Sequence, residues 1–363
     1  MYLDGDNNLE SYALTDLNEM EQVGSSSQVN IIVQLDQSSN YNHCKRYYVT
    51  KDSNTSTISS TVLQDLGNVD MANSASLLSF LNYGISNYPA NHYMVILWDH
   101  GSGWKIKAPR SAATKGICYD DHGASSSVPL SIHNLRDVFA QVRTTLGKNI
   151  DVLGFDACLM QMLEVAYEVR NDTDYIVGSE ETMPDTGLVY NQTLQHLVDN
   201  PDLTPLQLDN YFVQDYYNYT NSTGLTLSNL SMSQISGVLT ALSSFSSLLI
   251  SKMSTYKSTL RKLAVQAQYY YYTDYSDLYD FARLVKANVS NSDIQAAATS
   301  LMTAITNFVA AEVHTYDDVI NSHGLSIWLP GSSQYSSQTA SYASKLDFPG
   351  AYNWDEFLAA LWQ

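Results

Sequence analysis

DVLGFDACLM, residues 151–160, is the stretch from which the fold can be worked out. Residues 152–155 are apolar and predict a short buried strand. Asp156 and Cys158 follow this strand, and the apolar run 159–169 predicts a helix directly after them. A helix N-terminus beside a thiol favours the thiolate through its exposed N–H groups and its dipole. Cys158 is therefore a candidate nucleophile, and an inert buried cysteine is the alternative.

A second stretch has the same form. YMVILWDHGSGW, residues 93–104, predicts an apolar strand that ends at His100 and is followed by Gly101 and Gly103. A histidine and a cysteine at the ends of strands suit nucleophilic thiol chemistry, with the histidine as general base. His100 lies 58 residues upstream of Cys158, close to the spacing of roughly 50 residues, in the same order, that is found in caspases. The alternative is a structural histidine whose hydrogen bonds are made within the core.

The pattern of the whole chain predicts an α/β fold. Strands alternate with helices up to Ser231, which favours a mostly parallel sheet flanked by helices, with a hairpin at 45–63 as an insertion. Beyond Ser231 the apolar spacing becomes helical over three segments: 233–263, 276–287 and 293–313. We predict a catalytic domain at 1–231 and a mainly helical C-terminal subdomain at 232–363. A strand at 324–329 is predicted to return to the main sheet.

Composition limits the class of protein. The chain has 363 residues, of which 44% are hydrophobic and 15% charged, as in globular proteins. A net charge of -19 argues against nucleic-acid and anionic-membrane partners. The negative charge would attract cationic substrates. The alternative explanation is that the charge only keeps the protein soluble. Three cysteines are too few for a disulfide scaffold, and no C-x-x-C pair predicts zinc.

Targeting signals are not evident. No apolar run approaches the ~18 residues of a membrane span, and no signal-peptide pattern is visible in the sequence. Because it opens on what reads as a strand end, we expect residues upstream. Motifs of serine hydrolases and of nucleotide-binding folds do not occur.

The backbone near the two strand ends suits an oxyanion. The N–H groups of Gly101 and Cys158 are the candidates for an oxyanion hole. The glycine also allows a substrate to approach the backbone closely. Asp99 should point away from His100, because side chains alternate along a strand.

Acidic residues near Cys158 are candidates for a specificity pocket. Asp156 lies two residues before Cys158, so in an extended segment it points the same way and could bind a substrate Arg or Lys. An N-cap for the following helix is the alternative. Glu180 and Glu181 end the strand predicted at 175–182 and are further substrate-binding candidates, with a solvated strand end as the alternative.

Two polar groups could bind metal. Asp4, Asp6 and Asn8 have the spacing of a calcium loop's opening, but the required Gly and Glu are missing, so a helix cap at position 7 or 8 is favoured. His122 follows two aspartates, and a polar loop is favoured there. The sequence by itself therefore requires no metal and no other cofactor.

Four motifs together resemble the clostripain family of cysteine peptidases, which belongs to the caspase-like clan. They are DGDNNLE at 4–10, WDHGSGW at 98–104, DACLM at 156–160 and GLSI at 324–327. The resemblance implies a caspase-like sheet and a catalytic dyad of Cys158 and His100. It also implies cleavage of peptides after Arg or Lys, with Asp156 in an acidic pocket.

The resemblance has further implications. Family members are often activated by self-cleavage in the loop after the histidine strand. Lys115 is favoured as the cut site, and three other basic residues are suitable: Lys105, Lys107 and Arg110. A calcium requirement and a secreted or periplasmic bacterial location are further implications.

Two alternative functions compete with the peptidase. They are a catalytically silent caspase-fold binding module and a thiol enzyme acting on a non-peptide acyl group. The sequence leaves the oligomeric state open.

Overall fold

The computed structural model describes residues 1–105, 116–123 and 128–363. Eleven strands and twelve helices occur in these ranges. The strands are β1 (Tyr2–Gly5), β2 (Ile32–Gln37), β3 (Lys45–Tyr48), β4 (Thr61–Asp65), β5 (Met94–Trp98), β6 (Ile150–Asp156), β7 (Thr173–Gly178), β8 (Thr226–Ser231), β9 (Tyr275–Asp277), β10 (Val309–His314) and β11 (Ser326–Trp328). The helices are α1 (Glu10–Val23), α2 (Ser74–Asn87), α3 (Ile132–Leu146), α4 (Leu163–Glu168), α5 (Tyr190–Asp199), α6 (Pro205–Tyr219), α7 (Ile235–Ser251), α8 (Met253–Gln266), α9 (Leu278–Asn288), α10 (Ser292–Phe308), α11 (Ser332–Lys345) and α12 (Trp354–Trp362).

Nine of the described strands form one sheet, in the order β10-β8-β7-β6-β5-β1-β2-β3-β4. The five strands from β7 to β2 are parallel, and antiparallel strands extend both edges. The predicted α/β class with a sheet flanked by helices is confirmed. The chain starts at β1, adds β2 on one side, and later adds β5 on the other. Such a switch point places binding groups beyond the carboxyl ends of the strands.

Each central strand is buried on both faces, which explains its nearly continuous apolar sequence. In β5, Val95 and Leu97 belong to one core, whereas Ile96 and Trp98 belong to the other. Helices α1, α5 and α6 contribute to the second core, and α2, α3 and the C-terminal helices to the first. Helix α3 begins at Ile132 after an N-cap at Ser131, whose side chain accepts the Asn134 N–H in a capping box.

Two predictions for the C-terminal part differ from the structure. The helix predicted at 293–313 ends at Phe308, and β10 follows it, antiparallel to β8. Pairing with an existing sheet edge overrides the helical pattern there. The strand predicted to return to the main sheet pairs with β9 in a separate two-stranded sheet. The first core contains residues from both sides of Ser231, and a domain boundary there stays a prediction.

Contrary to the expectation from the sequence, one helical segment among the described residues is long and apolar enough to cross a membrane, judged by length and composition alone. It covers Met232–Ser251 and contains α7. Leu239, Leu242 and Phe245 of this helix are buried in the first core. Core packing therefore accounts for its apolar face.

Candidate active site

The ends of β5 and β6 bring the predicted dyad to one edge of the sheet. The register pairs Trp98 with Asp156, and the Asp99 N–H donates to the Asp156 carbonyl at 3.3 Å. Gly101 then packs directly on the chain after β6. A Cβ atom at Gly101 would lie 2.4 Å from the Cys158 carbonyl oxygen and 2.9 Å from the Cys158 nitrogen. His100 and Cys158 thus follow neighbouring strand ends, and Gly101 packs against the backbone of Cys158.

The Cys158 thiol is half-buried, whereas Cys44 and Cys118 are buried. Its Sγ accepts the Met183 N–H at 3.3 Å. Burial raises the pKa of this thiol to about 11, the Met183 N–H opposes the rise, and the charges of Glu181, Asp156 and Asp185 add to it. The group at rest near neutral pH is therefore a thiol.

The helix predicted directly after Cys158 begins later than expected. Leu159 has a left-handed backbone with φ of 65°, and its N–H donates to the Glu181 carbonyl at 3.1 Å. The Gln161 N–H donates to the Ser179 carbonyl at 3.0 Å, so this segment runs along residues 179–181, directly after β7, before α4 starts at Leu163. The expectation that a helix N-terminus activates the thiol is wrong, because no helix begins beside it.

His100 is held by a side chain from the start of the chain. Its Nε2 lies 2.9 Å from Asn8 Oδ1. Because an amide oxygen can only accept, Nε2 carries the proton and Nδ1 has the free lone pair. Burial lowers the pKa of His100, opposed by the charges of Asp185 and Asp121. The neutral imidazole is thus the resting form, as a general base requires.

The neighbours of His100 differ in part from the predictions. Asp99 points away from it, as predicted: its carboxylate accepts the Asn7 side-chain N–H at 2.9 Å and the Tyr119 backbone N–H. The Tyr119 ring packs edge-on against His100, with ring centroids 5.8 Å apart. Helix α1 has no side-chain cap, so Asn8 serves the histidine and not the helix. The polar run before the first helix was the available signal for this role.

Asp156 lies under the loop 182–189. Its side chain is buried, and Oδ2 accepts the Tyr190 hydroxyl at 2.7 Å and the Leu188 N–H at 3.1 Å. Burial raises its pKa to about 6, and these two donors oppose the rise. It does not cap α4, so the alternative interpretation of this residue is excluded.

The two glutamates after β7 point in different directions. Glu180 is buried, and its Oε2 accepts the Gly324 N–H at 2.9 Å, next to Asp277. The structure therefore does not bring Glu180 to the thiol. Glu181 is half-buried, accepts the backbone N–H groups of Thr182 and Tyr271, and its charge acts on Cys158.

Asp185 is the acidic residue that the sequence analysis missed. It is exposed on the loop 182–189, and its charge raises the pKa of both His100 and Cys158. It follows Met183, whose N–H contacts the thiol, by two positions. The polar turn MPDTG directly after a site strand was the signal that could have identified it.

The basic connection after β5 is described only at its ends. Lys107, Arg110 and Lys115 lie outside the described residues. Lys105 is buried, and its Nζ lies 2.5 Å from Asp274 and 4.4 Å from the centre of the Tyr275 ring. A lysine held in a buried ion pair is not accessible to a peptidase, which removes Lys105 from the suitable cut sites.

Two groups of side chains in the described part of the chain have metal-ligand spacing. Asp6, Asp36 and Asp120 are buried and have oxygens within 4.8 Å of one another. His122 contacts this group, with Nδ1 2.6 Å from Asp6. A second group, consisting of His133, Glu168 and Asp347, has Arg136 as a cation of its own.

Comparison with known proteins decides the family. A sequence model described as the clostripain family matches residues 1–362. The chain belongs to the clostripain family. The curated clostripain of Hathewaya histolytica is 24% identical over 403 residues, which covers 92% of this chain and 75% of that protein. This clostripain-family chain is accordingly a cysteine protease, and the resemblance in its motifs is confirmed.

Solved structures of clostripain-family proteases share the fold. A secreted C11 cysteine protease from Bacteroides thetaiotaomicron, solved with an irreversible peptide inhibitor, has a TM-score of 0.71 and 22% identity, and the match covers 98% of each chain. An inactive zymogen of a C11 protease from Parabacteroides distasonis has a TM-score of 0.71 and 20% identity, covering 97% of this chain and 96% of that one. The caspase-like architecture expected from the sequence is confirmed.

Proposed function

We propose that the protein is an endopeptidase that cleaves after Arg or Lys, with Cys158 as nucleophile and His100 as general acid–base. One observation supports this assignment most directly. The half-buried thiol and a neutral, Asn8-bound imidazole lie on neighbouring strand ends, with Gly101 packed against the Cys158 backbone. The other described cysteines are buried and have no histidine partner.

The chemistry follows from the protonation states. His100 Nδ1 takes the thiol proton as Sγ attacks the peptide carbonyl carbon. The resulting oxyanion accepts hydrogen bonds from the N–H groups of Cys158 and Gly101. The C–N bond then breaks, and the imidazolium gives its proton to the leaving amine. His100 next deprotonates a water that attacks the thioester. The C–S bond breaks, which releases the acid and restores the thiol. The Asn8 oxygen holds Nε2–H throughout.

Specificity in this proposal rests on carboxylates around the thiol. Asp156 lies beneath the loop 182–189 and Asp185 on it, while Glu181 closes the side toward Tyr271. A cationic substrate side chain can pair with these groups as a charge-assisted contact. Asp185 joins the set as a residue that the sequence analysis did not name.

Self-cleavage is part of the proposal. Lys107, Arg110 and Lys115 offer bonds of the preferred type between the anchored Lys105 and Gly116, whose N–H donates to the Ser102 hydroxyl at 2.6 Å. Intact-mass analysis of the wild type and of Cys158→Ala tests this. We expect fragments that end at one of the three residues only in the wild type.

Because a related C11 protease is described as secreted, we also propose an extracellular or periplasmic location.

The deciding experiment measures turnover of fluorogenic peptide amides that end in Arg, Lys, Asp or Leu. We expect cleavage after Arg or Lys that Cys158→Ala abolishes and that the buried-cysteine control Cys44→Ala retains. Cleavage after Asp or Leu would be consistent with the proposed dyad but would exclude an acidic specificity pocket. No cleavage by the folded wild type, before or after limited trypsin treatment, would favour the silent binding module. Turnover of a simple ester without any amide would favour the acyl-group enzyme.

A further inference from the structure

Four consecutive tyrosines, residues 269–272, lie between α8 and β9. Tyr270 is buried, and its hydroxyl donates to the Ser322 hydroxyl at 3.0 Å. Tyr271 is instead 67% exposed, and Tyr272 is half-buried. Tyrosines are enriched at recognition surfaces, because the ring offers a large apolar area beside a polar hydroxyl. The outward-facing part of this run therefore has the chemistry of a binding surface.

The tyrosine run borders the candidate active site at Glu181. The Glu181 carbonyl accepts the N–H of Leu159, the residue directly after the thiol, at 3.1 Å. The Glu181 carboxylate accepts the Tyr271 N–H, also at 3.1 Å. A single residue thus lies between the backbone beside Cys158 and Tyr271. Burial and, less strongly, the charges of Tyr271 and Cys158 raise the pKa of Tyr272 to about 12, which agrees with this placement.

The tyrosine run also contacts the loop that follows His100. The Tyr275 hydroxyl donates to the Ser102 carbonyl at 2.7 Å, and a Cβ atom at Gly103 would lie 2.9 Å from the Tyr275 ring. Tyr272 packs edge-on against this ring, with centroids 5.5 Å apart. The segment therefore lies beside both strand ends that carry the proposed dyad.

The rings of Tyr271 and Tyr272 are held in a defined arrangement. They meet edge to face, with centroids 5.1 Å apart. The Nζ of Lys105, which is paired with Asp274, lies 4.7 Å from the centre of the Tyr272 ring. A surface that is already ordered loses little conformational entropy on binding. The exposed ring of Tyr271 can thus receive an apolar side chain without rearrangement.

We propose that Tyr271 and Tyr272 form a second specificity subsite, which binds an aromatic or large aliphatic side chain of the substrate near the cleaved bond. This inference rests on the proposed function, because it describes the substrate of the same site. A peptide is longer than a pocket for one side chain, so its neighbouring residues contact the surface around the thiol. An apolar side chain would gain from burial against the Tyr271 ring, and an aromatic one also from edge-to-face contact.

Binding is tested separately from turnover, in the full chain carrying Cys158→Ala. The probes are fluorescein-labelled hexapeptides with one Arg, in which each other position in turn is Phe, Leu or Gly. Fluorescence polarisation measures Kd. At one position we expect Phe to bind roughly three- to tenfold more tightly than Gly, the gain of one aromatic contact.

Variants of the tyrosines identify the ring responsible. Adding Tyr271→Phe should retain the Phe-to-Gly ratio, whereas adding Tyr271→Ala should abolish it. The matched control is Tyr48→Ala, because Tyr48 also packs against a second tyrosine, Tyr88, with centroids 5.7 Å apart. Tyr48 pairs with Ile32 at the amino end of β2, the opposite end of the sheet from the site. Its removal should leave the ratio unchanged.

The ratio within each variant separates the subsite from general damage, because a damaged fold loses affinity for Phe and Gly peptides alike. The proposal is overturned if no position favours Phe, before or after limited trypsin treatment, or if Tyr271→Ala keeps the preference. Weaker binding of every Arg peptide by Tyr271→Ala, with the ratio intact, would place this ring in the cation pocket and also overturn it. Turnover of the same peptides is measured with Cys158 intact. A protein that binds the Phe peptide without cleaving it would contradict the proposed function alone.

Discussion

Cys158 and His100 are both uncharged at rest, and this has consequences for single residues around them. Burial raises the pKa of the thiol and lowers that of the imidazole. Nearby carboxylates oppose formation of the thiolate, because they repel its charge. In the proposed mechanism, formation of the Cys158 thiolate therefore depends on proton transfer to His100 and not on an ion pair already present at rest.

Removing the charge of Asp185 should make the thiol easier to ionise. Asp185→Asn lowers the pKa of Cys158, because the carboxylate raises it. Alkylation by iodoacetamide at pH 8 should then be roughly two- to fivefold faster than in the wild type, as expected for a charge interaction of about 0.4–1 kcal/mol. The pH–rate profile of labelling at Cys158, read by mass spectrometry, measures this. Asp199→Asn, at an exposed position on α5, is the control. An unchanged or slower rate would contradict the assigned proximity.

Gly101 should not tolerate a side chain. Its Cβ would lie 2.4 Å from the Cys158 carbonyl oxygen, a backbone atom that cannot move without the nucleophile. We expect Gly101→Ala to lower kcat/KM on the order of 10²-fold, the cost of a displacement of about 1 Å. Gly84→Ala is the control, since nothing lies within 4 Å of its Cβ position in α2. Activity of Gly101→Ala close to that of the wild type would exclude the oxyanion arrangement.

At the scale of elements, β7 and its following turn connect the site to the C-terminal region. Glu180 accepts the Gly324 N–H just before β11, whereas the backbone of Glu181 accepts Leu159 next to the thiol. Adjacent residues thus face different parts of the molecule, as alternation along an extended chain requires. The Glu180 carboxylate therefore connects the segment after β7 to the segment before β11.

The buried Glu180 should make stability depend on pH. Burial, with the charge of Asp277, raises its pKa in the folded state well above the unfolded value. The folded state therefore binds this proton more tightly, and stability falls as pH rises. Glu180→Gln retains the acceptor for Gly324 without the charge. Urea unfolding at pH 8 should find the variant more stable than the wild type, because the variant buries no carboxylate charge. Near pH 4.5 the difference should vanish, and the opposite trend would contradict this account.

At the scale of the whole molecule, the segment after Ser231 completes the fold that carries the site. Strand β10 covers the edge of β8, and the Ser326 N–H donates to the Gln161 carbonyl at 3.0 Å, three residues after the nucleophile. The Trp328 N–H donates to Glu164 at 2.8 Å. The turn that presents Cys158 is therefore supported by the C-terminal part.

A chain truncated after Ser231 should fail to fold. It would expose the first core, to which residues on both sides of Ser231 contribute, and leave Glu164 without its Trp328 donor. We expect loss of a cooperative thermal transition by circular dichroism, with the full-length Cys158→Ala protein as the control. A cooperative transition in the fragment 1–231 would instead show that the predicted catalytic domain is independent.

The sequence by itself determined the two strands that carry the site and placed Cys158 and His100, the proposed dyad, at their ends. The apolar run before Asp156 and the run before His100 are local patterns, and burial on both faces of a parallel sheet requires such runs. The ends of neighbouring parallel strands meet at one edge, so the pairing of His100 with Cys158 followed from topology. The motifs also identified the family, because each of them is a short, contiguous stretch that can be recognised in the sequence alone.

Only the tertiary structure decided which side chains surround the dyad. Asn8 reaches His100 across 92 positions, and Met183 reaches Cys158 across 25. The left-handed Leu159 and the late start of α4 depend on pairing with residues 179–181 after β7, which no local pattern encodes. The buried group of Asp6, Asp36 and Asp120 likewise gathers residues from the end of β1, from β2 and from a distant connection. Local sequence fixes periodicity, whereas contacts between remote segments depend on how the packed elements align.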